Sequence, residues 1–501
     1  MSYELMLKTF DNGTRVPLND VPEVALEVFL QGIVELTGLG WRILSYFGVP
    51  EREGAALWCV LAGSHRRLGA FHSWCEGALP SITAACPEAH LFEREIAEQC
   101  GLAVEGHPWL KPVREQDFAG NRADDDQCLT AVSDFYRLAG EEAHEVAVGP
   151  VHAGIIEPGH FRFQCHGEKV FHLEIALGYQ HRGIERALVG GPHPATMVQM
   201  ETIAGDTTIG HATAYAMIRE GLTGVEPPPR AQVVRGIALE LERLANHCGD
   251  LGALAGDVGF LPTMSFCGRI RGDFLNMTAD ICGSRFGRGL IRPGGVAFGC
   301  TPQQAEALSR RLDEVQHDYT GAVNLLWASP SVMARFERTG RISSDDALSL
   351  NLVGPAARAC GIARDVRRDH PFGIYLTSAP PLVLEAGGDV LARARLRWNE
   401  SIASLDFIRE RLSTLPDDDD LLTPGSPAGA EMLSVALLEG WRGEICHVAL
   451  TDKNGAFLHY KIKDPSFHNW SGLAMSLRNG QISDFPLCNK SFNLSYCGFD
   501  L

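Results

Sequence analysis

The chain has 501 residues, 45% of them hydrophobic and 21% charged, with 44 Lys and Arg against 62 Asp and Glu for a net charge of −18. That length exceeds one ordinary core and predicts a globular protein of two or three domains. The acidic balance argues against nucleic acid or bare anionic lipid as a partner and suits docking onto other proteins.

No apolar run approaches the ~18 residues that would span a bilayer. The start, Met1-Ser2-Tyr3-Glu4-Leu5, lacks a basic segment followed by an apolar one. The expectation is a cytosolic chain that reaches any membrane through partners. Fourteen cysteines are scattered along the length with no Cys-x-x-Cys spacing. They predict small buried apolar side chains rather than disulfides, zinc or iron–sulfur ligands.

In chain order, residues 1–115 read as a small α/β domain. Val21 to Leu36 carries apolar residues at helical spacing, and Ala55 to Leu61 is a short apolar run that predicts a buried strand. Residues 116–148 form an acidic linker, with Asp124-Asp125-Asp126 and Glu141-Glu142. From 149 to 501 a second domain begins with two or three short antiparallel strands between Val151 and Ile175. It then turns helical for roughly two hundred residues. A helix is predicted from Ala231 to about Leu251, with Val233, Ile237, Leu241, Leu244 and Cys248 on its apolar face. Another starts at the cap and N1 proline Thr301-Pro302. Residues 415–430, with a run of four Asp, predict an exposed loop. Asp452-Lys453-Asn454-Gly455 signals a hairpin. The fold class is α+β: a small α/β N-terminal domain, then a mainly α-helical domain with a small antiparallel β-subdomain.

Two segments carry the chemistry. One is His181-Arg182-Gly183-Ile184-Glu185 followed by Glu201 to His211; the other is Ser491 to Leu501. They resemble the two ligand segments of the large subunit of membrane-bound nickel–iron hydrogenases, where Cys-x-x-Cys in each supplies four thiolates. The matching positions here are Ala204, Thr207, Ser495 and Gly498. Ala and Gly have no ligating atom, and a hydroxyl substitutes poorly for a soft thiolate. The resemblance thus implies a retained scaffold with no metal held by this chain. Cys488 and Cys497 lie near the second segment, but the first offers no thiolate to match them.

Further segments extend the resemblance: Gly149-Pro150-Val151-His152, Glu157-Pro158-Gly159-His160-Phe161, Glu242 to His247, Arg292-Pro293-Gly294-Gly295, Trp441-Arg442-Gly443-Glu444 and Asp464 to Trp470. Together they are similar to the 49 kDa subunit of complex I and to group 4, formate hydrogenlyase-type, hydrogenase large subunits. Phe92-Glu93-Arg94-Glu95 and Gly106-His107-Pro108 resemble the 30 kDa subunit, as in the fused forms. The charges of that run are either a subunit anchor or a solvated helix face. Within the family the pattern is nearest to hydrogenase-related complexes that lack the nickel-ligand cysteines. The quinone loop departs from complex I, because Ile156 stands where a second histidine follows His152.

The resemblance implies roles. Glu157 corresponds to a region whose glutamate passes protons in hydrogenases, and a carboxyl in a dry pocket has a raised pKa suited to a relay; the alternative is pairing with Arg162 or exposure. His211 matches a histidine between the metal pocket and the nearest cluster, the alternative being a satisfied core histidine. Arg442 resembles an arginine that overhangs the metal, for which Asp206 or Glu157 would be the carboxylate partner. His152 and Thr207 are candidate cavity or quinone contacts. His181, Arg182 and Glu185 are read as ties between helices.

The expected function is a peripheral subunit at the cytoplasmic face of the cell membrane, catalytic only within its complex. It would shape a terminal redox and proton cavity beside a small iron–sulfur subunit, with a membrane arm of antiporter-like subunits. It would bind no cofactor of its own, the clusters lying in the partner, with quinone as an open question. Alternatives are a quinone-reducing subunit, a non-catalytic scaffold and, last, an active hydrogenase.

Overall fold

The computed structural model describes residues 3–51, 53–114, 135–140, 142–152, 156–417 and 420–501. Asp124-Asp125-Asp126, Glu141 and two of the four Asp of the 415–430 loop, Asp418 and Asp419, lie outside them. The mixture of helix with small antiparallel sheets gives the expected α+β class.

The N-terminal sheet is antiparallel, in the order Lys8–Phe10, Leu68–Cys75, Gly54–Ala62, Arg42–Glu51. The helices Leu26–Gly38 and His90–Cys100 cover it. The first helix starts later than the apolar spacing predicts. Glu23 bridges to His72, and the Val24 amide donates to the His72 carbonyl at 3.0 Å, so the chain there extends the sheet before it coils.

Two expectations about organisation give way. The acidic linker, read to 148, ends earlier: Ala143–Val148 is the edge strand of a three-stranded sheet with His160–His166 and Lys169–Ala176. Its Glu145 faces Arg162 at 3.1 Å, so a segment that reads as polar is a half-wetted strand. Nor are the first 115 residues self-contained. Arg15–Pro17 pairs with Met432–Gly440 as the fourth strand of the sheet Phe457–Lys463, Gly443–Thr451, Met432–Gly440. Asn12 clamps that edge, donating to the Leu437 carbonyl at 2.7 Å and accepting from the Leu437 amide at 2.8 Å.

The Phe92–Glu95 charges are neither a solvated face nor a free anchor. Glu93 accepts from the Ile82 amide at 2.7 Å and the Thr83 hydroxyl at 2.6 Å. Glu95 is buried among Arg114, Lys461 and Lys463 and ties the N-terminal helix to the C-terminal sheet.

The helical body is built from Pro229–Asp257, Leu261–Cys282, Pro302–Trp327 and Val390–Ser413. Thr301 and Gln304 form a reciprocal capping box at the start of the third. The first is buried nearly all round, and its polar residues are therefore paired: Glu240 with Arg243 and Arg367, Asp250 with Arg397, His247 with Glu400. Among the described residues no helix is long and apolar enough to cross a membrane.

Candidate functional site

Three tight backbone devices converge on one place. The first is the two-residue turn Trp441-Arg442 at the tip of the hairpin whose strands end in the facing pair Gly440 and Gly443. Gly443 has φ +130, and a Cβ there would stand 2.7 Å from the Gly354 Cα, so only glycine closes this turn. The second is the start of the helix Thr208–Thr223, directly after Asp206-Thr207. The third is Asp464-Pro465, cap and N1 proline of the helix Pro465–Ser476, beside Ser495, the cap of Tyr496–Asp500.

Arg442 meets Asp206 in a two-pronged pair, Nη1 to Oδ1 at 2.5 Å and Nη2 to Oδ2 at 2.7 Å. Its Nε donates to the Asn493 carbonyl at 2.5 Å, and its guanidinium lies 4.0 Å from the Trp441 ring centroid. Burial alone would raise the Asp206 pKa, but the Arg442 charge and hydrogen bonds overcome it and hold the carboxyl below its usual range. Arg442 is pushed further toward its charged form by the same partner, against the cost of burial.

The four positions that the resemblance matches to metal ligands are built into the fold. The Thr207 hydroxyl donates to Asp206 Oδ1 at 3.2 Å and accepts from Trp441 Nε1 at 3.1 Å and Arg442 Nη1 at 3.3 Å, which uses its donor and both lone pairs. The Ser495 hydroxyl accepts the Gly498 amide at 2.9 Å. Ala204 is fully buried and apolar. At Gly498 a Cβ would stand 2.8 Å from both the carboxyl carbon and Oδ2 of Asp464, so the carboxylate fills the space a side chain there would need. This donor set does not fit a nickel–iron centre: none of the four positions carries a thiol, the one sulfur nearby, Cys497, bonds Ser495 at 3.4 Å, and the hydroxyls are spent on the protein.

Beside this wall opens a cavity of about 610 Å³. His152, Glu157, Asp206 and Arg442 all line it. Glu157 accepts from the Tyr496 amide at 3.2 Å, while Arg162, its suggested alternative partner, pairs with Glu145. Burial and the nearby Glu157 charge push the Cys497 thiol up to about 12. His152 Nε2 is buried with no partner among the described residues and stands beside Gly149. Thr207 is not a cavity contact: it is 1% exposed and lies behind Asp206, because three hydrogen bonds draw its hydroxyl into the wall. His211 is fully buried on the inner side of that wall, between Asp464 and His447. His181, Arg182 and Glu185 tie segments together. His181 Nδ1 lies 2.6 Å from the Asp500 carbonyl, Arg182 donates to the Thr202 and Ile203 carbonyls, and Glu185 pairs with Lys461.

Two groups of residues escape the sequence reading. Asp257 lines the cavity, and desolvation raises its carboxyl to about 6 despite the Lys490 charge; a lone Asp at the end of a long helix carries no sequence signal. Asp464, His447 and Tyr460 lie in segments recognised as motif or hairpin, but only strand pairing and the cap bring them to His211.

Comparison with known proteins agrees with this architecture. The family model for the respiratory-chain NADH dehydrogenase 49 kDa subunit matches residues 257–427, and that for the 30 kDa subunit matches 63–124. The carbon monoxide-induced hydrogenase of Rhodospirillum rubrum is 30% identical over 351 residues, which is 70% of this chain and 97% of that protein. Formate hydrogenlyase subunit 5 of Escherichia coli (strain K12) is 29% identical over 433 residues, 83% of this chain and 76% of its own length. A chain in the structure of the membrane-bound sulfane sulfur reductase, an archaeal respiratory membrane complex, superposes with a TM-score of 0.67. It shares 22% identity, covers 72% of this chain and 99% of that one, and is a likeness of fold. This chain belongs to the family of the complex I 49 kDa subunit and its membrane-bound hydrogenase relatives, with a 30 kDa-type segment in the same polypeptide.

Proposed function

We propose that this chain, a subunit of an oxidoreductase complex of the complex I and membrane-bound hydrogenase kind, shapes a terminal redox and proton cavity without a nickel–iron centre of its own. The observation that carries the reading is the wall between cavity and core. Asp206 and Arg442 face the cavity as a compensated ion pair, Ala204, Thr207, Ser495 and Gly498 stand at the positions the resemblance matches to thiolates, and the Asp464 carboxylate fills the space beside Gly498. In this reading electrons arrive through clusters of a small iron–sulfur partner. The chain sits at the cytoplasmic face of the membrane through its partners, and changes in the cavity are transmitted to an antiporter-like membrane arm. The ion pair closes one side of the cavity, and Glu157 and Asp257 line it as carboxyl groups able to exchange protons.

Nickel and iron per chain, with hydrogen uptake on the same anaerobically purified complex, test this. The expected result is no nickel, no uptake, and iron accounted for by the small subunit. Stoichiometric nickel would overturn it.

A second reading, quinone reduction in this cavity, is favoured by its lining. Ile156, Phe161, Phe485 and Leu494 are apolar walls, while His152 and Glu157 are polar groups able to meet ring oxygens. The volume falls in the range of about 300–1,000 Å³ typical of small-molecule pockets. Ile156→Trp, which narrows the cavity, should abolish quinone-dependent oxidation of the reduced clusters. Unchanged oxidation would remove this reading.

A further inference from the structure

Behind the wall, four side chains form one unbroken hydrogen-bonded line. Asp464 Oδ2 lies 3.1 Å from His211 Nε2, His211 Nδ1 lies 3.1 Å from His447 Nε2, and His447 Nδ1 lies 2.9 Å from the Tyr460 hydroxyl. All four residues are buried. They come from separate elements: the helix Thr208–Thr223, the strands Gly443–Thr451 and Phe457–Lys463, and the cap of the helix Pro465–Ser476.

Valence sets the direction of the line. The other Asp464 oxygen already accepts the Ser466 amide at 2.8 Å. Burial would raise this carboxyl, but His211 and Arg442 hold it below its usual range, so it accepts and His211 Nε2 donates. The next bond pairs a donor with an acceptor when His211 Nδ1 takes the proton of His447 Nε2. Burial keeps His447 in its neutral form. Its bare Nδ1 takes the Tyr460 O–H. Each imidazole is thus acceptor on one side and donor on the other, which is the arrangement proton hopping requires.

The two ends lie at informative places. Asp464 stands within 2.8 Å of where a Gly498 Cβ would be, at the position that the resemblance matches to a fourth metal ligand. Tyr460 lies near Tyr215 and Arg219, and Arg219 is half-buried with Nη1 unpartnered among the described residues.

We propose that Tyr460, His447, His211 and Asp464 form a proton-conducting line that delivers a proton to the inner side of the cavity wall, in the place of a lost thiolate. Its use in turnover rests on the redox and proton reading of the cavity. A proton arriving at the Tyr460 oxygen displaces the hydroxyl proton onto His447 Nδ1. The His447 Nε2 proton passes to His211 Nδ1, and the His211 Nε2 proton to Asp464. One proton enters, the carboxylate becomes a neutral acid, every hydrogen bond in the line reverses, and no electron moves. Release of that proton from Asp464 and reversal of the three bonds reset the line.

The test follows ring protons in the intact purified complex with 15N-labelled histidine, transferred to heavy water and observed by NMR. Both rings should carry their proton on Nε2. Tyr460→Phe removes only the hydroxyl, and His447→Gln keeps a donor and an acceptor but has no ring to hand a proton through. Each should slow exchange of the His211 Nε2 proton by about tenfold or more, with backbone amide protection of the surrounding helix unchanged. Wild-type exchange rates in both variants would overturn the proposal, as would a neutral His211 protonated on Nδ1. No electron enters this measurement. A failed redox reading therefore shows in the metal and quinone assays, and a failed line shows here.

Discussion

Replacing Asp206 by Ala leaves the Arg442 guanidinium with its Asn493 carbonyl and the Trp441 ring but without an opposing charge. Breaking a buried pair in this way costs about 3–5 kcal/mol, because the remaining charge stays desolvated. About 33% of the Asp206 side chain is open to the cavity, against 4% for Arg442, so screening brings the expected cost to or below the bottom of that range, about 2–3 kcal/mol. Arg442→Ala should cost a similar amount. It frees the Asp206 carboxylate and also removes a donor to Thr207. The double variant should cost little more than either single one, leaving a coupling of roughly 2 kcal/mol.

The assay is hydrogen exchange of the amides of Thr208–Thr223, which begins next to Asp206, read as local opening free energies in the purified complex. Additivity within about 0.5 kcal/mol would refute the argument that the pair supports this wall. The pH sign is fixed as well. Asp206 has a depressed pKa in the folded protein, so its contribution is complete above the unfolded value of about 3.9. The coupling should vanish as pH falls through the lower, folded value.

Other consequences are equally direct. Gly443→Ala puts a Cβ 2.7 Å from Gly354 in a φ region that L-residues avoid. It should cost about 1–3 kcal/mol and weaken the Asp206–Arg442 coupling, as the same exchange experiment would read. Gly498→Ala should push the Asp464 carboxylate away and shift the His211 ring signals, whereas unchanged signals would mean the helix Tyr496–Asp500 yields instead. Glu242 accepts the Ile209 and Gly210 amides, but burial lifts its pKa to about 8. The stability this neutral acid contributes is full below about 4.3 and is lost as pH rises through 8, so Glu242→Gln should flatten the fall in melting temperature over that span. Asp257, raised to about 6 by desolvation, should give a carboxyl infrared band that disappears as pH passes 6 and is missing in Asp257→Asn.

How far the site could be read in advance depends on the range of the interactions. The side chains at the four positions that the resemblance matches to thiolates, Ala204, Thr207, Ser495 and Gly498, are a matter of a short frame, whereas their partners in the fold are not. The Asp206–Arg442 contact was one of two pairings open to Arg442. The choice between Asp206 and Glu157 was decided by a two-residue turn and a helix start brought face to face. Thr207 was misjudged as a cavity contact because a residue list cannot tell which side of a wall a hydroxyl points to.

The sequence by itself determined the α+β class, two of the long helices and the Thr301 cap of one, the Asp452–Gly455 hairpin and the family, since each rests on local periodicity, turn chemistry or a contiguous motif. Tertiary structure alone decided that Arg15–Pro17 completes the sheet bearing Arg442, that Glu95 is buried between the N-terminal helix and the C-terminal sheet, and that Asp464 fills the Gly498 space at the end of a line through two histidines. These contacts join residues up to hundreds of positions apart. Their partners are selected by strand register, burial and the need to pair every desolvated charge, none of which is expressed in any short stretch of the chain.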